Sequence, residues 1–151
     1  PQAVVERMLD VAAVGPEDVV YDLGCGDGRM VIAAAKGPGA RGVGIDLDAA
    51  LLEECRAAAK REGVEGLVRF IHMDATKARL TEATVLALYL LPESLGDLAP
   101  AFERDLRPGA RIVSHDYAIP GWDGRLLRTE SLTDEKGREH RILLYRVPEK
   151  I

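Results

Sequence analysis

Cysteine is scarce in this chain, with two among 151 residues. Cys25 and Cys55 fall in different predicted elements and lack the paired spacing of a zinc site, so neither a disulfide framework nor a metal centre is expected. A reducing cytoplasm is the simplest compartment for such a protein. An excess of basic residues is missing too: 20 Lys and Arg against 25 Asp and Glu give a formal charge of -5. That is the opposite of the positive footprint with which proteins grip phosphates, and it argues against nucleic acid as a partner while leaving a local basic patch open. Long apolar runs are also absent. The longest, Val85 to Leu91, is far from the roughly 18 residues that cross a bilayer and suits a buried strand. The chain opens at Pro1 without an initiator methionine, which leaves room for a leader, tag or anchor ahead of it.

What is present is enough for one compact domain over residues 1–151, with 47% hydrophobic content to fill a continuous core. Val4, Val5, Met8, Leu9 and Ala12 recur at helical spacing and predict an amphipathic opening helix that stops near Gly15-Pro16. The stretch from Val19 to Gly24 is short, apolar and β-rich, and it ends in glycines. Arg29 to Lys36 reads as helix, Gly42 to Leu47 as strand, and Ala49 to Glu62 as helix closed by Gly63. Leu67 to Met73 and Thr84 to Leu91 read as strands, Pro92 to Leu106 as helix, and Arg111 to His115 as strand. Such alternation predicts an α/β fold, a parallel sheet with helices on both faces. The character changes from Arg125 onward. Leu126 to Leu132 and Arg141 to Val147 read as two strands joined by the polar segment Thr133 to His140, an antiparallel hairpin at the C-terminal edge.

The segment Asp22-Leu23-Gly24-Cys25-Gly26-Asp27-Gly28 follows the first strand and leads into a helix. Glycine lets backbone approach a ligand, and a helix N-terminus offers free N–H groups, so the turn is suited to a nucleotide. A dinucleotide fingerprint needs a small residue where Arg29 stands, and Asp22 and Asp27 flank the position a pyrophosphate would take, so that reading fails. A ligand with positive groups is stabilised there instead. S-adenosyl-L-methionine carries an ammonium and a sulfonium, together with a carboxylate that the N–H groups of the turn are expected to hold. Asp46 ends the second strand, where its carboxylate can accept both ribose hydroxyls, while Asp48 is better placed to cap the following helix. Asp74 ends the third strand, where it can accept the adenine amino group beside the Ala75 N–H, or simply cap a turn. Ligands of open α/β sheets bind at the carboxyl ends of the strands, and three acids delivered to that layer form one constellation.

These motifs resemble the class I, seven-stranded methyltransferases. Val20-Tyr21-Asp22-Leu23-Gly24-Cys25-Gly26-Asp27-Gly28-Arg29 resembles their first motif, Gly42-Val43-Gly44-Ile45-Asp46 the second, and Asp74 stands at the adenine-binding position. The opening Pro-x-x-Val-Val-x-x-Met-Leu, the phrase Gly-Asp-Gly-Arg-Met-Val-Ile-Ala-Ala-Ala and the ending Tyr89-Leu90-Leu91-Pro92 are similar to small prokaryotic relatives of the ATP synthase c-subunit lysine methyltransferases. The resemblance implies a Rossmann-like, doubly wound fold, S-adenosyl-L-methionine as cofactor and S-adenosyl-L-homocysteine as product. The expected cofactor set is Asp22, Gly24, Cys25, Gly26, Gly28, Asp46, Leu47, Asp74, Ala75 and Leu88. Two departures stand out. Only Ala118 to Gly124 separate the fifth and sixth strands, too few for a helical crossover, so that helix is expected to be missing. The fourth strand also lacks the Asp/Asn-Pro-Pro-aromatic signature of methyltransferases that act on base or glutamine amino groups.

Methyl transfer is an in-line displacement on an activated sulfonium, so the protein has chiefly to align the acceptor and exclude water. Tyr89, His115 and Asp116 end strands on the acceptor side and are the candidate catalytic residues. Tyr89 would orient an amine, His115 accept a proton, and Asp116 attract a cation. Each has a plain structural alternative: a half-wet core aromatic, a satisfied imidazole, a turn cap. Trp122 reads first as a cover for the short connection, and His72 as structural. The acidic charge and the family resemblance favour an amine acceptor, a protein lysine first. A small metabolite or RNA is the alternative, and a module that binds the cofactor without turnover is the third reading.

Overall fold

The computed structural model describes residues 1–149. Helix α1 spans Gln2–Val11, β1 Val19–Leu23, α2 Arg29–Lys36, β2 Arg41–Asp46, α3 Ala49–Arg61 and β3 Val68–His72. After them come β4 Val85–Leu88, α4 Pro92–Asp105, β5 Arg111–His115, β6 Leu126–Thr133 and β7 Glu139–Arg146. All seven strands form one sheet in the order β3-β2-β1-β4-β5-β7-β6. The pairs from β3 through β5 are parallel, and β7 is antiparallel to both β5 and β6. This is the mixed, doubly wound Rossmann-like sheet expected from the alternation of apolar strands with helical segments. Among the described residues no helix is long and apolar enough to cross a membrane.

The central strands β1 and β4 are mostly apolar because both faces of the sheet are covered there, whereas the edge strand β6 is largely exposed and polar. Along β4, Leu86 and Leu88 join a cluster with Leu95, Leu98 and Phe102 of α4, while Val85 and Ala87 join Val4, Met8 and Met30 of α1 and α2 on the opposite face. A third cluster, with Val31, Leu52, Cys55 and Phe70, seats α3 beside α2. The period of two along the strand thus sends successive side chains into different layers.

The structure trims and adds to the sequence expectation. β4 ends at Leu88, not Leu91, which leaves Tyr89 one residue beyond the strand. The link after β5 has no helical crossover and holds a single turn of 3-10 helix, Asp123–Arg125. A second such turn, Ala75–Lys77, follows β3 and is capped by Asp74, the alternative role that its position in the sequence also allowed. Trp122 is buried, edge-on to Phe102 and Tyr145 at ring separations of 6.3 and 6.4 Å, and it covers the short link from inside the core.

Candidate active site

β1 pairs with β2 on one side and β4 on the other, so the sheet order reverses at this strand and a crevice opens at the carboxyl ends. The glycine turn occupies that position. Gly24, Gly26 and Gly28 all have left-handed backbone, with φ of +74, +56 and +81°. This explains three glycines at alternate positions, since a side chain at such angles is strained. Gly28 is also crowded: a Cβ there would lie 3.0 Å from Cys55 Sγ and from the Phe70 ring.

Asp46 ties the turn to β2. Its Oδ2 accepts the N–H of Gly26 at 3.0 Å and its Oδ1 that of Asp48 at 2.9 Å. Asp48, as the sequence implied, caps α3 by accepting the N–H groups of Ala50 and Leu51. Four further N–H groups here have partners inside the protein. Gly24 and Cys25 both donate to the Ile45 carbonyl, at 2.7 and 3.0 Å, Gly28 donates to Cys25, and Arg29 to Asp27 Oδ1. These particular amides are therefore already held by backbone and carboxylate acceptors.

Two cavities flank the turn and meet at Gly24, which lines both. One, of about 230 Å³, is bounded by Asp46, Leu47, Met73, Asp74, Ala75, Leu90 and the α4 residues Ser94 and Asp97. The other, of about 260 Å³, is bounded by Asp22, Cys25, Gly26, Asp27, Arg29 and Tyr89, with Pro1 and Val5 from the start of the chain. Leu88, expected as a contact, lies fully buried in the core below these cavities, and Leu90, two residues on, lines the wall instead. Ser94, Asp97 and Arg29 were not singled out from the sequence, because only the packing of α4 and the start of α2 brings them to the crevice.

The electrostatics of the two halves differ. Asp22 is buried, and burial together with the negative fields of Asp46 and Asp27 pushes its carboxyl up to about 8. Among the described residues no hydrogen bond or cation offsets that rise, and the residue lines a cavity. Asp27 instead pairs with Arg29 at 2.7 Å, and that hydrogen bond holds its carboxyl below the ordinary range. At the far end Asp74 accepts the N–H and hydroxyl of Thr76 through Oδ1, at 2.9 and 2.8 Å, so its second oxygen is left to the cavity. A cationic nucleoside fits this distribution: a buried acid in one chamber, and further acids with apolar walls in the other.

On the acceptor side the structure brings Tyr89 and His115 together. Their rings stack at 3.7 Å with planes 5° apart. Tyr89 remains 40% exposed, whereas His115 is buried. Burial pulls the His115 imidazole down to about 4, so it is neutral at physiological pH. Its Nε2 lies 2.7 Å from Nδ1 of His140, and Nε2 of His140 lies 2.7 Å from Oδ2 of Asp134. Asp116 lies beside this pair, its Oδ1 3.5 Å from His115 Nε2; Oδ1 also accepts the Arg141 N–H and Oδ2 pairs with Arg138 at 3.1 Å, so its charge is already answered by the hairpin. His72 Nε2 donates to the Leu47 carbonyl at 2.9 Å, a structural contact.

His115, Asp116 and His140 place three ligating atoms within 4.8 Å of one another. Two nitrogens bound to one tetrahedral zinc at about 2.0–2.1 Å stand roughly 3.3 Å apart, so the 2.7 Å spacing seen here is that of a hydrogen bond between imidazoles.

The chain matches the family model described as the ANTKMT methyltransferase domain over residues 22–125. It is 37% identical to a protein-lysine N-methyltransferase of Saccharolobus islandicus, across 99% of this chain and 91% of that protein. It is 36% identical to the human ATP synthase C-subunit lysine N-methyltransferase across 68% of this chain, which spans 44% of that longer relative. Among solved structures, an RNA methyltransferase from Salinibacter ruber in complex with S-adenosyl-L-homocysteine superposes with a TM-score of 0.91 at 44% identity, covering 100% of this chain and 94% of the other. The chain therefore belongs to the ANTKMT methyltransferase family and is a methyltransferase that uses S-adenosyl-L-methionine.

Proposed function

We propose that this enzyme, acting as one domain, methylates the side-chain amine of a protein lysine. The observation that carries the reading is the acceptor-side chamber: Tyr89 reaches it from the end of β4 opposite the buried Asp22, in a pocket with apolar contributions from Val5 and Met30. With Asp22 engaged by the cofactor's ammonium, a lysine ammonium entering this pocket would lose hydration and meet the cofactor's positive charge, both of which promote loss of its proton, and the freed amine can be oriented by the phenol hydroxyl. The names of the archaeal and human relatives support a lysine acceptor. So does the formal charge of -5, which suits a cationic target better than a polyanion.

S-adenosyl-L-methionine supplies the activated methyl when bound. The cofactor residues are proposed as follows. Asp46, with Leu47 beside it, takes the ribose hydroxyls through lone pairs that Gly26 and Asp48 leave free. Asp74 and Ala75 take the adenine edge against Met73 and Leu90. Asp22 takes the ammonium, and Gly24 with Gly26 forms the floor between the chambers. The protein need provide no dedicated base, because its work is alignment and exclusion of water. Both thiols are free and buried, which suits a reducing cytoplasm.

The RNA methyltransferase named above supports a second acceptor class at this fold. The test is incubation of the purified enzyme with methyl-tritiated cofactor and, separately, deproteinised RNA and nuclease-treated protein from the same lysate. Label in the protein fraction that appears as methyllysine after acid hydrolysis is the expected result. Label confined to RNA would overturn the lysine assignment.

A further inference from the structure

The acceptor-side tyrosine is backed by a chain of groups drawn from three separate segments. Asp134 lies in the turn between β6 and β7, His140 at the start of β7 and His115 at the end of β5, and antiparallel pairing of β5 with β7 sets the two histidines side by side. The protons in this chain can be placed. The Asp134 carboxyl is held below its ordinary range, first by the His140 hydrogen bond, so it is an ionised acceptor and His140 Nε2 carries the proton. With the His140 ring neutral, its Nδ1 is a bare lone pair and Nε2 of His115 is the donor in the 2.7 Å contact, an arrangement that Asp116 Oδ1, 3.5 Å from the same Nε2, also favours. One tautomer of each ring satisfies the chain. His140 is fully buried, so water offers its ring no alternative partner.

The chain ends on the stacked pair, where the fixed His115 ring lies flat against Tyr89 at 3.7 Å. Tyr89 has left β4 and is exposed, so its backbone gives it little restraint. Its orientation comes from the imidazole behind it.

We infer that His140 and Asp134 are positioning residues for methyl transfer: they lock His115, and the His115 face sets the Tyr89 ring at the mouth of the acceptor chamber. The inference rests on the proposed use of Tyr89 in aligning the acceptor. Neither His140 nor Asp134 lines either cavity beside the glycine turn, so both act through another residue, much as outer groups orient the ligands of a functional site.

The test is a mutant cycle in methyl transfer to the lysate fraction that takes up label. Tyr89→Leu removes the stacked ring, and His140→Gln breaks the chain behind it. His140→Gln is expected to lower kcat roughly ten- to a hundredfold with KM for the cofactor unchanged, the signature of a misplaced aligning group. In the Tyr89→Leu background it should cost less than about twofold more, because the residue it acts through has gone. Asp134→Asn, which keeps the turn contacts, should show the same direction more weakly. Equal losses from His140→Gln in both backgrounds, or a fall in thermal stability with kcat intact, would overturn the inference. Full activity in Tyr89→Leu would instead overturn the role of Tyr89. Without any acceptor, the ring signals of Tyr89 in carbon-labelled tyrosine spectra should shift in His140→Gln while those of Tyr21 hold, and unchanged Tyr89 signals would refute the coupling.

Discussion

Gly26 donates its backbone N–H to Oδ2 of Asp46 across 3.0 Å, which makes the carboxylate at the end of β2 a brace for the glycine turn as well as a proposed cofactor ligand. Replacing Asp46 by Ala removes brace and ligand together. Affinity for S-adenosyl-L-methionine is expected to fall at least tenfold, about 1.4 kcal/mol, and Asp46→Asn should fall less because its amide oxygen still accepts one bond. Calorimetric titration with the cofactor, and with NAD as the control that does not bind, measures both. Undiminished affinity in Asp46→Ala would remove this carboxylate from the site.

Asp22 makes the cofactor-free protein sensitive to pH. Its carboxyl titrates near 8 when folded, against 3.8 as an ordinary carboxylate. Between those values the folded chain holds a proton that the unfolded chain has released, so this group makes stability fall as pH rises from about 4 to about 8 and level off above. Urea denaturation of parent and Asp22→Asn at pH 5 and pH 8 should show a smaller drop in the mutant. Cofactor uptake at pH 7 should release a proton, because an ammonium beside Asp22 favours the ionised form. Calorimetry in buffers of different ionisation enthalpy reads that number, and no buffer dependence would disconnect Asp22 from the ammonium.

Gly28 is predicted to tolerate substitution worse than Gly26. Both have positive φ, but a Cβ at Gly28 meets Cys55 and Phe70 at 3.0 Å while one at Gly26 meets nothing within 4 Å. Gly26→Ala should cost about 1–2 kcal/mol from backbone strain alone. Gly28→Ala adds displacement of buried neighbours, of order 1–3 kcal/mol more. Equal denaturation midpoints for the two variants would contradict the crowding.

Trp122 separates stability from function. It is 2% exposed and packs against Phe102 and Tyr145, with the Arg125 guanidinium 4.3 Å from its ring centre. Trp122→Ala is expected to cost about 3–5 kcal/mol of unfolding free energy. Measured below the melting range, its cofactor affinity should match the parent. A selective loss of binding would place Trp122 in the site and not under the link.

Much of this arrangement is legible in residue order. Arg29 to Lys36 and Arg111 to His115 have the boundaries their patterns imply, because helix formers flanked by glycine and an apolar β-rich run after Pro-Gly leave little choice. Asp22 lines one of the two cavities beside the glycine turn and Asp46 and Asp74 the other, because each follows an apolar run whose direction in the sheet is fixed by alternation. The contacts made through the C-terminal hairpin are another matter. His115 and His140 lie 25 residues apart, and only the register that sets His115 against Ile142 makes them neighbours. Asp134 reads in sequence as part of a solvated charge run, and nothing local distinguishes it from Glu135. Leu88 and Leu90 differ by one strand repeat, and where β4 stops decides which of them reaches the cavity wall.

The reversal of the last two strands has a consequence for how this enzyme can diversify. Because β7 runs against β5, the reverse turn at Asp134–Arg138 lies at the same rim as the glycine turn, more than a hundred positions away in the chain. The glycine turn and the groups stacked behind Tyr89 are therefore written far apart in the gene, so changes that lengthen or recharge that bend need not touch the glycine motif.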